Sequence, residues 1–129
     1  NIAMALRIPD KLLQEYKHTA RTRWQAEKAL RASRRARAWE LAKQAAELLK
    51  RDYQVQRVLV FGSLTQPDRF TVHSDVDLAA WGLTSANWLK AIGAVRHLDS
   101  IGDIEINLVD TACCSPELLA AIERDGVLL

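Results

Sequence analysis

Two cysteines, three prolines and five glycines in 129 residues leave little to work with for several architectures. The cysteines, Cys113 and Cys114, are neighbours. Adjacent residues do not reach relaxed disulfide geometry, and the spacing fits no zinc knuckle. Two free thiols suit a reducing compartment, so the expected location is the cytoplasm. No apolar run approaches the ~20 residues of a membrane-spanning helix, and no signal-peptide pattern is present. An excess of one charge is also lacking. Eighteen Lys and Arg face sixteen Asp and Glu, a formal +2, which argues against direct nucleic-acid binding by the chain as a whole. The distribution is uneven, because Arg21, Arg23, Arg31, Arg34, Arg35 and Arg37 crowd the first third while most carboxylates come later.

What is there is apolar residue, at 49%, enough for one core without disulfides or a structural metal. Asn1-Ile2-Ala3 ahead of Met4 reads as an added remnant, with Met4 the natural start. From Asp10 to about Lys50 there is neither Pro nor Gly, and Ala, Leu, Arg, Lys, Glu and Gln dominate, which is helix composition. Asp10 after Pro9 is the expected cap. One helix of that length is unusual for so small a domain, so the pattern predicts two, broken near Ala32-Ser33. Gln56 to Phe61 reads as a buried strand ended by Gly62, and Leu64 to His73 as a loop. Asp75 to Ala80 alternates and predicts a second strand, and Ile104 to Val109 a third. Ser85 to Leu98 carries apolar residues at helical spacing, with Ser85 as cap. Ser115-Pro116-Glu117 opens a final helix with Pro at its first position, ending at Asp125-Gly126. The sum is an α/β (α+β) domain: a small mixed sheet with helices packed on it.

The chemistry concentrates in Asp75 and Asp77. Residues two apart on a strand share a face, with α-carbons roughly 6.5–7 Å apart. Val76 and Leu78 between and after them point into the core and hold the pair in place. Mg²⁺ takes oxygen ligands, commonly one or two carboxylates completed by phosphate oxygens. An ordinary solvated edge strand has the same Asp-x-Asp pattern. Gly62-Ser63 adds the second half: a Gly just past a buried strand lets backbone approach a ligand, and N–H groups there with a hydroxyl cradle phosphate.

Phe61-Gly62-Ser63, a short loop, then Ser74-Asp75-Val76-Asp77-Leu78 resembles the signature of the DNA polymerase β-like nucleotidyltransferase superfamily, in its minimal nucleotidyltransferase (MNT) branch. The likeness extends from Val55 to Leu129: Arg57-Val58-Leu59-Val60 matches the lead-in strand, Ile104 to Asp110 a later one, and Pro116 to Gly126 the tail. It implies a nucleotidyltransferase core over 55–129, polymerase β palm-like, behind a helical segment over 1–54, the two forming a single domain. It further implies that Asp75 and Asp77 hold Mg²⁺ on a triphosphate and that Gly62 and Ser63 grip its phosphates; Ser74 and the loop residue Arg69, whose guanidinium suits phosphate geometry, are the other expected nucleotide contacts. A third carboxylate normally completes such a site. The aligned position is Asn107, which can ligate a metal but is no base near neutral pH. Glu105, two residues earlier, is the expected substitute. His73 is expected on the loop surface, Trp24 and Trp39 as core or interface anchors, and Arg31 to Arg37 as a solvated helix face.

Small members of this branch act as antitoxins of HEPN-type RNases in toxin–antitoxin pairs. The resemblance therefore implies transfer of AMP from ATP to a hydroxyl of such a toxin, with homo-oligomer formation left open. Two other classes compete. One is a catalytically degenerate module that neutralises its partner by contact, with Asn107 marking a lost base. The other is a tRNA or small-molecule nucleotidyltransferase subunit that recruits substrate through its arginine-rich helices.

Overall fold

Nothing between Asp10 and Tyr53 interrupts a helix, and the chain forms one: α1, 44 residues and about 66 Å long. The computed structural model describes residues 8–129, so the reading of Asn1 to Met4 lies outside the described residues. The expected break at Ala32-Ser33 does not occur. Without Pro or Gly there is no backbone reason for one, and the length is tolerable because the second half is anchored by tertiary packing. Ala38, Leu41, Ala42, Ala45, Ala46 and Leu49 recur at three- and four-residue steps and are buried, the alanines letting the helix lie close on the sheet. Asp10 is the first helical residue and not the cap, which is Pro9; as an acid in the first turn it favours the helix dipole. The helix ends where Gln54 turns left-handed at φ 56°, with the N–H groups of Gln54 and Val55 on the Leu49 carbonyl.

The remainder runs β1 (Arg57–Phe61), a 3₁₀ turn (Gly62–Thr65), β2 (Val76–Trp81), α2 (Trp88–Arg96), β3 (Ile106–Asp110), α3 (Pro116–Asp125) and β4 (Val127–Leu128). The sheet order is β3-β2-β1-β4; β2 and β3 are parallel, the other neighbours antiparallel. β4, two residues long, carries no sequence pattern and was not anticipated. It exists because Gly126 lets the chain turn tightly off α3: a Cβ there would sit 2.4 Å from the Ile122 carbonyl oxygen. The final helix is as expected, with Pro116 opening it and Ser115 Oγ accepting the Leu118 N–H at 3.2 Å. α2 starts later than expected. Ser85 is not its cap; Asn87 holds that position and accepts the Thr84 N–H on its side chain.

Alternation divides the sheet into two faces. Val58, Val60, Val76, Leu78, Ala80 and Ile106 meet α1 and α2 in the main core, which Phe70 also enters from the loop after the 3₁₀ turn. On the opposite face Leu59, Ala79 and Ile122 of α3 form a smaller cluster flanked by Phe61 and Trp81. Odd-numbered positions of β2 and β3, Asp77 and Asn107 among them, lie on this thinly covered side.

Candidate functional site

β1 and β2 pair so that Phe61 faces Asp77, which brings the turn after β1 onto the second carboxylate. Gly62 sits there at φ +77°, and a Cβ on it would lie 2.7 Å from Asp77 Oδ2. Glycine is therefore required twice over, by conformation and by the carboxylate against its α-carbon. Ser63 follows in the same 3₁₀ turn. On the other side β3 sets Asn107 in register with Asp77, and its Nδ2 donates to Asp77 Oδ1 at 3.2 Å. Asn107 is thus the β3 side chain that stands beside Asp77.

Burial pushes the Asp77 carboxyl up; the bond from Asn107 opposes this, and the nearby charges of Asp75 and Glu105 add to it, leaving the group above its ordinary value. Crowded, partly desolvated carboxylates of this kind gain from a cation. Among the described residues no three His, Cys, Asp or Glu side chains converge on one point. The donor set present, two carboxylates with an amide beside them, fits Mg²⁺ that takes its remaining ligands from phosphate and water.

Asp75 precedes β2, which begins at Val76, and is held from two directions. Its Oδ1 accepts the Glu105 N–H at 3.1 Å and faces Arg34 Nη2 at 3.3 Å. Glu105 likewise precedes β3, one residue before Ile106. Its backbone serves Asp75, while its half-exposed carboxylate pairs with Arg96 of α2 at 3.2 Å. Ser74 Oγ closes the turn from Thr71, accepting that N–H at 2.9 Å, and Arg69 is exposed on the loop, its N–H on the Gln66 carbonyl. His73 is exposed and lines an open cleft of about 730 Å³ with Arg34, Asp75, Arg96, Asp103 and Glu105. That cleft flanks the carboxylate pair; Gly62, Ser63 and Asp77 are not in its wall.

The expectation of a solvated Arg31–Arg37 face fails at three residues. Arg34, 12% exposed, donates from Nε to the Ser74 carbonyl at 2.9 Å and from its terminal nitrogens to Asp75, to the Asp103 carbonyl at 3.0 Å and to Asp103 Oδ2 at 3.3 Å. Arg35 donates to the Leu64 carbonyl at 2.9 Å, and Arg37 pairs with Asp103 and Asp99. Asp99 itself is buried and accepts the N–H groups of Ile101, Asp103 and Ile104 at 3.2, 3.1 and 2.9 Å. Burial alone would raise its pKa, but those N–H groups and the Arg37 charge outweigh it and hold the carboxyl below its ordinary value. Asp99 thus shapes the loop that presents Asp103, and Asp103 with Ser74 fixes the guanidinium that fixes Asp75. Sequence reasoning missed Arg34, Asp99 and Asp103. Arg34 is 41 residues from Asp75, and no local pattern distinguishes it from its neighbours.

The polymerase beta nucleotidyltransferase family matches residues 43–129. The chain belongs to this family. Its fold also matches solved structures of toxin–antitoxin complexes. A variant of the MntA–HpeT complex is 26% identical at a TM-score of 0.53, over 67% of this chain and 69% of that one. A toxin–antitoxin structure with AMP-PNP is 24% identical at 0.51, over 66% and 69%. A complex of tri-AMPylated Shewanella oneidensis HEPN toxin with MNT antitoxin is 21% identical at 0.50, over 70% of each chain. A comparison with curated protein sequences gave no match. No helix among the described residues is long and apolar enough to cross a membrane.

Proposed function

We propose that this nucleotidyltransferase-family chain transfers AMP from ATP to a hydroxyl of an all-helical HEPN-type toxin, as the antitoxin of the pair. The observation that carries the reading is the contact between Gly62 and Asp77, with Asp75 two residues before it. A glycine turn against one carboxylate on the thinly covered sheet face, with a second carboxylate just ahead of the same strand, is what a triphosphate and its cation require. The toxin–antitoxin complexes among the structural neighbours, one with AMP-PNP and one with an AMPylated toxin, support the choice of nucleotide and partner.

In this reading Asp75 and Asp77 hold Mg²⁺, and the N–H groups of the Gly62-Ser63 turn with the Ser63 hydroxyl take the outer phosphates. Bound Mg²⁺ neutralises the triphosphate and supports the departing pyrophosphate. The acceptor oxygen bonds to the α-phosphorus, the bond to the β-phosphate oxygen breaks, pyrophosphate leaves, and the acceptor's proton goes to a base. Asn107 orients Asp77 through its amide and takes no proton. The base is then Glu105, once its carboxylate leaves Arg96. Arg34 acts indirectly: with the Glu105 N–H it engages Asp75 Oδ1 and fixes the carboxylate that would help hold the cation. Arg69 and Ser74 belong to the loop beside the phosphates, Ser74 through the turn that delivers Asp75.

The test is the intact mass of the adjacent gene's product after incubation with this protein, ATP and Mg²⁺. Gain of AMP units is expected, with loss of the gain in Asp75→Asn/Asp77→Asn and in Gly62→Ala, and a strong reduction in Glu105→Gln. A stable complex with no mass gain would instead place the chain among modules that act by contact alone.

A further inference from the structure

The near-neutral total charge conceals a local segregation. Between Lys17 and Arg37 eight cations stand against one carboxylate, Glu27. Arg34 and Arg37 are engaged by Asp75, Asp99 and Asp103. Of the others, Lys17, Arg21, Lys28, Arg31 and Arg35 follow one another at steps of four, seven, three and four, which places them on one face of α1 over about 27 Å. Two tryptophans continue the same spacing. Trp24, 58% exposed, fills the step between Arg21 and Lys28, with Lys28 Nζ 5.2 Å from its ring centre. Trp39, half-buried, lies four residues beyond Arg35, whose guanidinium is 6.0 Å from that ring. Trp24 also borders, with Glu15, Tyr16, Thr19, Arg23 and Glu27, a cleft on the adjacent face, where the two carboxylates lie.

From Asp10 to Ser33 every residue except Leu13 is exposed, so this face makes no core. It also lies outside the family match, which begins at residue 43. At its inner end Lys28, Arg31, Arg35, Trp39 and Pro67 border a cleft of about 370 Å³, and Arg35 reaches the Leu64 carbonyl in the turn that begins with Gly62-Ser63.

We propose that this face binds single-stranded polynucleotide. Cations spaced along a track, with flat aromatic rings between them, match a chain of phosphates with stackable bases. An acidic protein surface would use the cations too, but rings and cations that alternate at one helical spacing match the regular alternation of bases and phosphates more closely. A second copy of this chain would bring like charges together. The inference is independent of the nucleotidyl-transfer reading, since none of these side chains belongs to the carboxylate site.

The experiment is fluorescence anisotropy of the full chain with labelled oligo(U) and oligo(dT) of about twelve nucleotides, with polyglutamate as the acidic-polypeptide probe. Four phosphate contacts, at Lys17, Arg21, Lys28 and Arg31, predict that log K falls with log salt at a slope of about −2.8, which Lys28→Ala/Arg31→Ala flattens by about 1.4. Trp24→Ala is expected to weaken binding roughly fivefold to a hundredfold, and Trp24→Phe to restore most of it. These are exposed positions, and an unchanged circular dichroism spectrum verifies the fold of each variant. Tighter binding of oligo(U) than oligo(dT) would identify RNA as the ligand; equal binding would identify any single strand. Either no salt-dependent binding, or polyglutamate binding as tightly as the oligonucleotides with Trp24→Ala unaffected, would overturn the proposal.

Discussion

The two halves of α1 have the same backbone and similar composition, yet they do different work. Each half carries six Lys and Arg and one Trp, but in residues 34–53 alanine and leucine recur at three- and four-residue steps and pack under the sheet, while residues 10–33 touch almost nothing. Helix propensity is strong in both, so it cannot be what anchors the helix. Burial does that, together with Arg34, Arg35 and Arg37 at the junction. The lesson is that the inner half is a structural part of the nucleotidyltransferase core, and the outer half is surface carried on it.

Point substitutions break this comparison most sharply where it is strongest. Leu49→Ala, in a fully buried side chain, is expected to destabilise the fold by about 2–5 kcal/mol, read by calorimetry or urea unfolding. Arg34→Ala removes charged hydrogen bonds to Ser74, Asp75 and Asp103 and is expected to cost about 1.5–3 kcal/mol. Arg34→Lys should recover little of it, because an ammonium lacks the fork that reaches all three.

Asp99→Asn is expected to cost about 1–3 kcal/mol near neutral pH, since an amide cannot accept all three loop N–H groups. The sign of its pH dependence follows from a folded pKa below the unfolded one. The stabilisation is fully present above the ordinary Asp value of about 3.9 and disappears as pH falls through the lower folded value. Thermal melts of wild type and Asp99→Asn should therefore converge at acid pH, and a constant gap would contradict the assignment. The smallest effects belong to the outer half. Tyr16→Ala and Leu30→Ala, both well exposed, should each shift stability by no more than about 0.5 kcal/mol.

Much of the frame could be read in the amino-acid order because local physics decides it. The run Arg57 to Phe61 is apolar and β-branched, Ser115-Pro116 is a helix start, and Val76 and Leu78 alternate with Asp75 and Asp77. The site's glycine was legible as a strand-end glycine, though only the packing shows its α-carbon against Asp77. What could not be read depends on contacts distant in sequence or on very short elements. β4 is two residues with no pattern. The continuity of α1 past Ser33 depends on anchoring elsewhere. Asp75 and Glu105 read as strand residues but fall one residue ahead of β2 and β3, so Glu105 meets Arg96 with its side chain and Asp75 with its backbone. The contacts that run from Asp99 through Asp103 and Arg34 to Asp75 exist only once α1, the 99–103 loop and the start of β2 meet.

The carboxylates beside Gly62 stand or fall as a nucleotidyl-transfer site on which phosphate of ATP reaches the partner. The most direct measurement supplies the adjacent gene's product with ATP labelled on either the α- or the γ-phosphate, with Mg²⁺ and this protein or its Asp77→Asn variant. Label from the α-phosphate alone should become attached, with pyrophosphate released, and Asp77→Asn should abolish both. Attachment of γ-label, or α-label transfer that Asp77→Asn leaves unchanged, would contradict it.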